Sequence, residues 1–240
     1  GSGALMETLP DALALAQTMV DIGKLAGKPV VAVITSMAQP LGTHIGNALE
    51  VKDAIDVLAG RTQGDLLEIS LLLGSHMLVL AEKAKTLPEA RTMLENALSS
   101  GAGLRKLAEM IAAQGGDPRV VEDLSLLPQA AVKRVMRAET AGYLSAMDTT
   151  ALGMAAQRMG AGRAKKSDML DYSVGYVLHV RLGDEVTEDT PLATLYARNE
   201  AEAEEAEKAI RKALTIAKEK PSVPPLWDAV VTAEGITYNR

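Results

Sequence analysis

VVAVITSMAQPLGTHIGNALEVKDAI (residues 30–55) reads as a strand, a punctuated loop and the start of a helix, and its first six residues decide the fold. VVAVIT is short, unbroken in its apolar character and rich in β-branched residues. That is the pattern of a strand buried on both faces, of the kind parallel sheets use. Upstream, Leu13, Leu15, Ala16, Met19, Val20 and Ile22 fall at helical spacing, with Gly27 as a stop and Pro29 at the exit. Helix, tight turn and buried strand make half of a βαβ unit, so the sequence predicts an α/β fold whose preceding strand lies before residue 1. A parallel sheet without its first strands leaves an unpaired edge. The expectation is either association or repair of that edge by a partner or by added residues.

Downstream, Pro40, Gly42 and Gly46 punctuate a loop. Asn47 reads as an N-cap, with Glu50 completing a capping-box-like pair. Helices are predicted over 47–58, 65–85, 87–98 and 103–113, with the second buried. Near residue 127 the pattern changes to short β-like pieces (AVKRVMRA, GYLSAM, VGYVLHVRL and PLATLYA) separated by Gly-Asp and Glu-Asp turns. A helix over 202–220 carries acids first and bases last, with Glu204–Lys208 and Glu207–Arg211 at i,i+4 and an apolar stripe of Ile210, Leu214 and Ala217. The fold class expected is therefore α/β. Residues 1–127 would be the remainder of a parallel-sheet α/β domain. Residues 128–240 would be a smaller α+β domain with a barrel-sandwich-like hairpin region.

Composition narrows the function classes. The chain has 240 residues, 48% hydrophobic and 23% charged, which suits a packed globular core. A net charge of −6, with no basic stripe, argues against nucleic acid as a partner. The absence of cysteine excludes disulfides and thiolate metal sites and fits a cytoplasmic setting. The most apolar run, residues 66–81, is interrupted by Glu68 and His76 and is too short to cross a bilayer. No Phe occurs, so Leu and 11 Met carry the packing.

Chemistry could reside in the loop after VVAVIT, since open α/β sheets bind ligands at the carboxyl ends of their strands. Main-chain oxygens of the Leu41–His44 turn, with the carboxylate of Asp53, form a candidate oxygen cage for a cation. On spacing alone the plainer reading, glycines shaping a connection and a solvated Asp53, carries more weight. Of three histidines, His76 lies in an apolar helix and His179 in a strand pattern. His44 lies in the candidate loop and is the one marked for a functional test. Arg163, Lys165 and Lys166 could bind an anion, although a solvated loop holding carboxylates is the commoner outcome. Neither a dinucleotide fingerprint nor a Walker loop is present, and no Ser/His/Asp constellation stands out.

Five strings carry a family resemblance: GSGALM (1–6), SMAQPLGTHIGNALEVKDAI (36–55), LLGSHMLVLAEKA (72–84), MIAAQGGDP (110–118) and MGAGRAKKSDMLDYSVGYVLHVRLGDEV (159–186). Together they resemble the C-terminal half of pyrimidine-nucleoside (thymidine) phosphorylases. The resemblance implies phosphorolysis of a pyrimidine nucleoside to the free base and (deoxy)ribose 1-phosphate, by a homodimer, with phosphate and nucleoside as ligands. It places the family's phosphate loop and base-contacting donors upstream of Gly1, so no catalytic residue carries over and the chain alone is expected to be inactive. It implies that Ala4, Leu5 and Met6 adjoin the pyrimidine pocket. It also implies part of a structural potassium site, the carbonyls of Leu41 and His44 and the carboxylate of Asp53, where the family more often has Glu, with the remaining ligands coming from the half upstream of Gly1. Two other readings stay open: a non-catalytic binding or scaffold module derived from the family, and a carrier-type domain. The last is suggested by GDEVTEDTPLATL (183–195), which resembles a biotinyl or lipoyl hairpin without its lysine.

Overall fold

A computed structural model describes Gly1 and residues 3–239. The chain forms two compact units, each assembled from separated stretches. Residues 1–37, 63–102 and 224–240 form one, and residues 38–62 and 103–223 form the other.

In the first unit, α1 (Leu9–Leu25) starts at Thr8, whose hydroxyl accepts from the Asp11 amide, with Pro10 in the first turn. It leads into β1 (Ala32–Thr35). Helices α3 (Asp65–Leu80) and α4 (Leu87–Ser99) pack together, and Arg91 clasps both carboxylate oxygens of Glu68 at 3.0 and 3.1 Å. The unit ends in a hairpin, β9 (Trp227–Thr232) and β10 (Gly235–Tyr238), which sequence patterning did not reveal. β9 runs between β1 and β10 and is antiparallel to both. Ala16 and Val20 of α1 and Val231 of β9 form a small closed core.

Two expectations are corrected here. β1 is half-buried rather than buried on both faces, and its partner is antiparallel. In fact every strand pair among the described residues is antiparallel. An apolar β-branched run reports burial of side chains and says nothing of the direction of its neighbour. Likewise α3 is a helix but not a buried one: Leu67, Ile69 and Leu71 turn inward, while Leu73 and Met77 are exposed.

The second unit holds two open antiparallel sheets around one core, and no barrel closes. One has the order β2 (His44–Ile45), β5 (Gly175–Leu178), β7 (Pro191–Ala197), β3 (Val132–Arg137). The other has β6 (Glu185–Val186), β4 (Gly142–Met147), β8 (Leu214–Ala217). Helices α2 (Asn47–Leu58), α5 (Ala102–Ala113), α6 (Thr149–Ala156) and α7 (Glu200–Ala213) complete it. Met136, Leu144, Leu195 and Ile210 are fully enclosed, and the Tyr176 hydroxyl, equally buried, donates to the Leu152 carbonyl at 2.8 Å. At 25 cal/mol per Å² such side chains stabilise by about 2 kcal/mol each.

The helix expected over 202–220 stops at Ala213, and the chain continues as β8 against β4. Leu214, Thr215 and Ile216 include two β-branched residues, and ladder pairing with Leu144–Met147 outweighs the weak helical preference there. Within α7 the Glu204–Lys208 and Glu207–Arg211 pairs form as the spacing predicts, at 2.7 and 2.9 Å. Helix α6, capped by Asp148 accepting from the Ala151 amide, went unread in the sequence.

Candidate functional site

The loop at residues 38–46 and the start of α2 form one hydrogen-bonded assembly in the second unit. β2 is an edge strand, pairing only with β5, with His44 opposite Val177 and Ile45 opposite Tyr176. The Leu178 amide donates to the Thr43 carbonyl at 2.8 Å, so the His44 carbonyl falls in the alternate position and points away from β5.

Asp53, only 4% exposed, turns from α2 back onto this loop. Its Oδ2 accepts from the Thr43 amide at 3.2 Å, and its Oδ1 lies 3.4 Å from Nδ1 of His44. The Thr43 hydroxyl is 3.0 Å from the same nitrogen. An anionic oxygen facing Nδ1 favours the tautomer with its proton there, the Thr43 hydroxyl then accepting. Burial holds the His44 pKa below its ordinary value and outweighs the opposing pull of Asp53, so the ring is neutral at pH 7. One turn along, Asp56 takes Lys52 at 2.6 Å and Arg61 at 2.7 Å. Burial acts to raise its pKa, and the two cations together overcome it and hold it below the usual carboxylate value.

The start of α2 departs from the expected cap. Gly46, at φ 134°, is the cap residue, and Glu50 accepts from its amide at 3.3 Å. The Asn47 side chain reaches elsewhere, donating to the Ala161 carbonyl at 2.8 Å. This ties α2 to the glycine-rich loop after α6, where the Ala48 amide also donates to the Tyr172 carbonyl. That loop closes on its own acid: the Asp168 carboxylate accepts from the amides of Ala164 and Lys165 at 3.1 and 3.0 Å. Arg163 donates to the Asp168 carbonyl, so the basic segment is organised around a carboxylate it contains.

The feature sequence reasoning missed is Arg181. Its Nη1 donates to the Pro40 carbonyl at 2.6 Å and approaches that of Gly42 at 3.4 Å, while Nη2 lies 3.4 Å from the carbonyl of Leu41. The neighbouring Leu182 amide donates to the Gln39 side chain at 2.9 Å. The turn carrying Arg181 is fixed in its own right, the Asp184 carboxylate accepting from the Arg181 amide at 2.7 Å. The signal was a lone arginine at the head of an RLGD turn, and nothing local announces a target some 140 positions away in the chain.

Leu41, His44 and Asp53 are thus brought into one loop-and-helix assembly. The Leu41 carbonyl faces a guanidinium, and the Asp53 oxygens face the Thr43 amide and the His44 ring. Among the described residues no group of three or more His, Asp or Glu side chains is placed to hold a metal ion. Ala4, Leu5 and Met6 lie in the first unit, in a turn where the Ala4 amide donates to the Gly1 carbonyl. Leu5 is exposed and Met6 half-buried. His179 meets Thr194 at 2.7 Å, and His76 is lowered in pKa by burial alone. The tip between β6 and β7 carries Glu188 and Asp189 and no lysine. No described helix is long and apolar enough to cross a membrane.

α2 also lines a cleft of about 400 Å³, where Lys52, Lys133 and the Tyr196 ring meet the apolar side chains of Leu49 and Leu127. The Lys133 ammonium lies 5.6 Å from the centre of the Tyr196 ring.

Comparison with known proteins covers most of the chain. Residues 1–104 match the glycosyl transferase family a/b domain, and residues 143–217 match the pyrimidine nucleoside phosphorylase C-terminal domain. Among similar proteins, the pyrimidine-nucleoside phosphorylase of Geobacillus stearothermophilus is 50% identical over 200 residues, covering 83% of this chain and 46% of that protein. That of Bacillus subtilis (strain 168) is 49% identical over the same shares. That of Staphylococcus aureus (strain USA300) is 44% identical over 232 residues, covering 97% of this chain and 53% of that protein. The chain spans about half the length of the curated relatives it matches.

Proposed function

Given a chain that belongs to the pyrimidine-nucleoside phosphorylase family, we propose that it serves in the phosphorolysis of pyrimidine nucleosides. It would act as a pentosyltransferase, in company with the part of its relatives' length that it does not span. Phosphate attacks the anomeric carbon as the glycosidic bond breaks, and donors stabilise the negative charge that develops on the leaving base. None of those donors is assigned to this chain, which acts here as scaffold. One feature supports that role: Asp53 and Arg181 hold the loop at the head of α2. The segment bearing Ala4, Leu5 and Met6 would adjoin the base. Working as a homodimer in the cytoplasm belongs to the same reading.

The observation carrying the proposal is the identity of about half of all aligned residues over 200 positions with named phosphorylases. A chimera tests it. This chain replaces the matched segment of the Geobacillus stearothermophilus relative, and phosphate-dependent release of uracil and thymine is measured. Retained release supports the reading, and a folded, inert chimera refutes it.

A second reading, a binding module without catalysis, draws on the cleft with two lysines and an aromatic wall. Its mark would be a monodisperse chain that binds an unrelated organic anion there and supports no phosphorolysis in the chimera.

A further inference from the structure

A loop whose carbonyl groups converge concentrates the negative ends of several peptide dipoles, and donors or a positive charge must answer them. The carbonyls of Pro40, Leu41 and Gly42 converge in this way, and the charge that meets them is a side chain of the same chain. We propose that Arg181 is the resident cation of the 39–44 loop. It would be a positioning residue that fixes the loop, and through it the Thr43–Asp53–His44 contacts, with no need of a bound alkali ion.

The geometry suits a guanidinium specifically. Its N–H groups fan out in one plane and can serve several acceptors at once, whereas an ammonium is a point charge. Here Nη1 reaches two carbonyls and Nη2 a third. The guanidinium is aimed by the turn that carries it, where the Asp184 carboxylate accepts from the Arg181 amide and the Gln39 side chain accepts from the adjacent Leu182 amide. Beyond the loop, the Thr43 carbonyl accepts from the Leu178 amide and the Thr43 amide donates to Asp53. Arg181 therefore acts on one end of a segment whose other end is held by the buried Asp53 carboxylate of α2. The inference does not depend on the phosphorylase reading, since it concerns a loop contained in this chain.

Hydrogen–deuterium exchange of residues 39–44 tests it, on the full chain in potassium, sodium and choline chloride at equal ionic strength. The wild-type loop should show the same protection in all three salts. Arg181→Met should exchange at least about tenfold faster across 39–44, with β3 and β7 unchanged. Arg181→Lys should fall between the two, because an ammonium offers its donors from a single point and lacks the planar fork that reaches three separate carbonyls. Should Arg181→Met fail to fold, the wild-type salt series and Arg181→Lys still decide. Potassium-specific protection of the wild-type loop would overturn the proposal, as would wild-type protection in either variant.

Discussion

Gly46 and Gly175 lie back to back where β2 meets β5. A Cβ on Gly46 would stand 2.4 Å from the Val174 carbonyl oxygen, and one on Gly175 would stand 2.1 Å from that of Ile45. Both residues have positive φ, 134° and 146°. This contact of backbone on backbone lets α2 begin directly against the sheet, and so sets the position of Asp53.

Gly175→Ala therefore meets a clash with backbone and a disfavoured φ together. Each costs on the order of 1–3 kcal/mol, and the sum expected is about 3 kcal/mol. Denaturant unfolding checks it through the midpoint. A shift equivalent to less than about 1 kcal/mol would mean that β2 and β5 separate easily.

Asp53→Ala removes the acceptor for the Thr43 amide and the partner of His44 in a buried setting. The expected loss is about 1–3 kcal/mol. Asp53→Glu keeps the charge but adds a methylene where Asp53 is 4% exposed, and about 1 kcal/mol or more is expected from crowding. Chemical denaturation of both variants beside the wild type measures the two losses.

How far the sequence announced this assembly depends on the range of each interaction. Helices α1 to α5 were legible because their apolar spacing and their glycine and proline punctuation are local. The Glu204–Lys208 and Glu207–Arg211 pairs were legible for the same reason. The turn from α7 into β8 was not, because Leu214–Ala217 joins β4 across some 70 positions. The partner of β1 lies nearly 200 positions away, so its direction had no local sign. Leu41, His44 and Asp53 were singled out through their loop, but Arg181, which meets the carbonyls of Pro40, Leu41 and Gly42, was hidden by distance along the chain.

Acid should destabilise the fold from about pH 6.5 downward. Burial lowers the pKa of His44, His76 and His179 from 6.5 in the folded chain. Between each lowered value and 6.5 the unfolded chain binds more protons, so stability falls as pH drops through that window. Asp56, also lowered, extends the loss in the same direction at more acidic pH. His44→Gln should flatten the slope below pH 6.5 in a series of melting temperatures. An unchanged slope would assign the effect to His76 and His179.

Tyr176→Phe deletes a hydroxyl that donates to the Leu152 carbonyl inside the core. Burial pushes the phenol pKa up, so the hydroxyl stays protonated as a donor throughout the accessible range. Losing it should cost about 1–2 kcal/mol without altering the fold. Circular dichroism and the denaturation midpoint together check both parts.

This chain is proposed to serve in phosphorolysis with reacting groups drawn from the part of its relatives' length that it does not span. The direct test is phosphate-dependent release of thymine from thymidine and uracil from uridine. It is run with the chain alone and then with the remaining portion of the Geobacillus stearothermophilus relative. The account predicts no release from the chain alone and release, strictly dependent on phosphate, from the mixture. Release by the chain alone, or none from a mixture of two folded parts that associate, would contradict it.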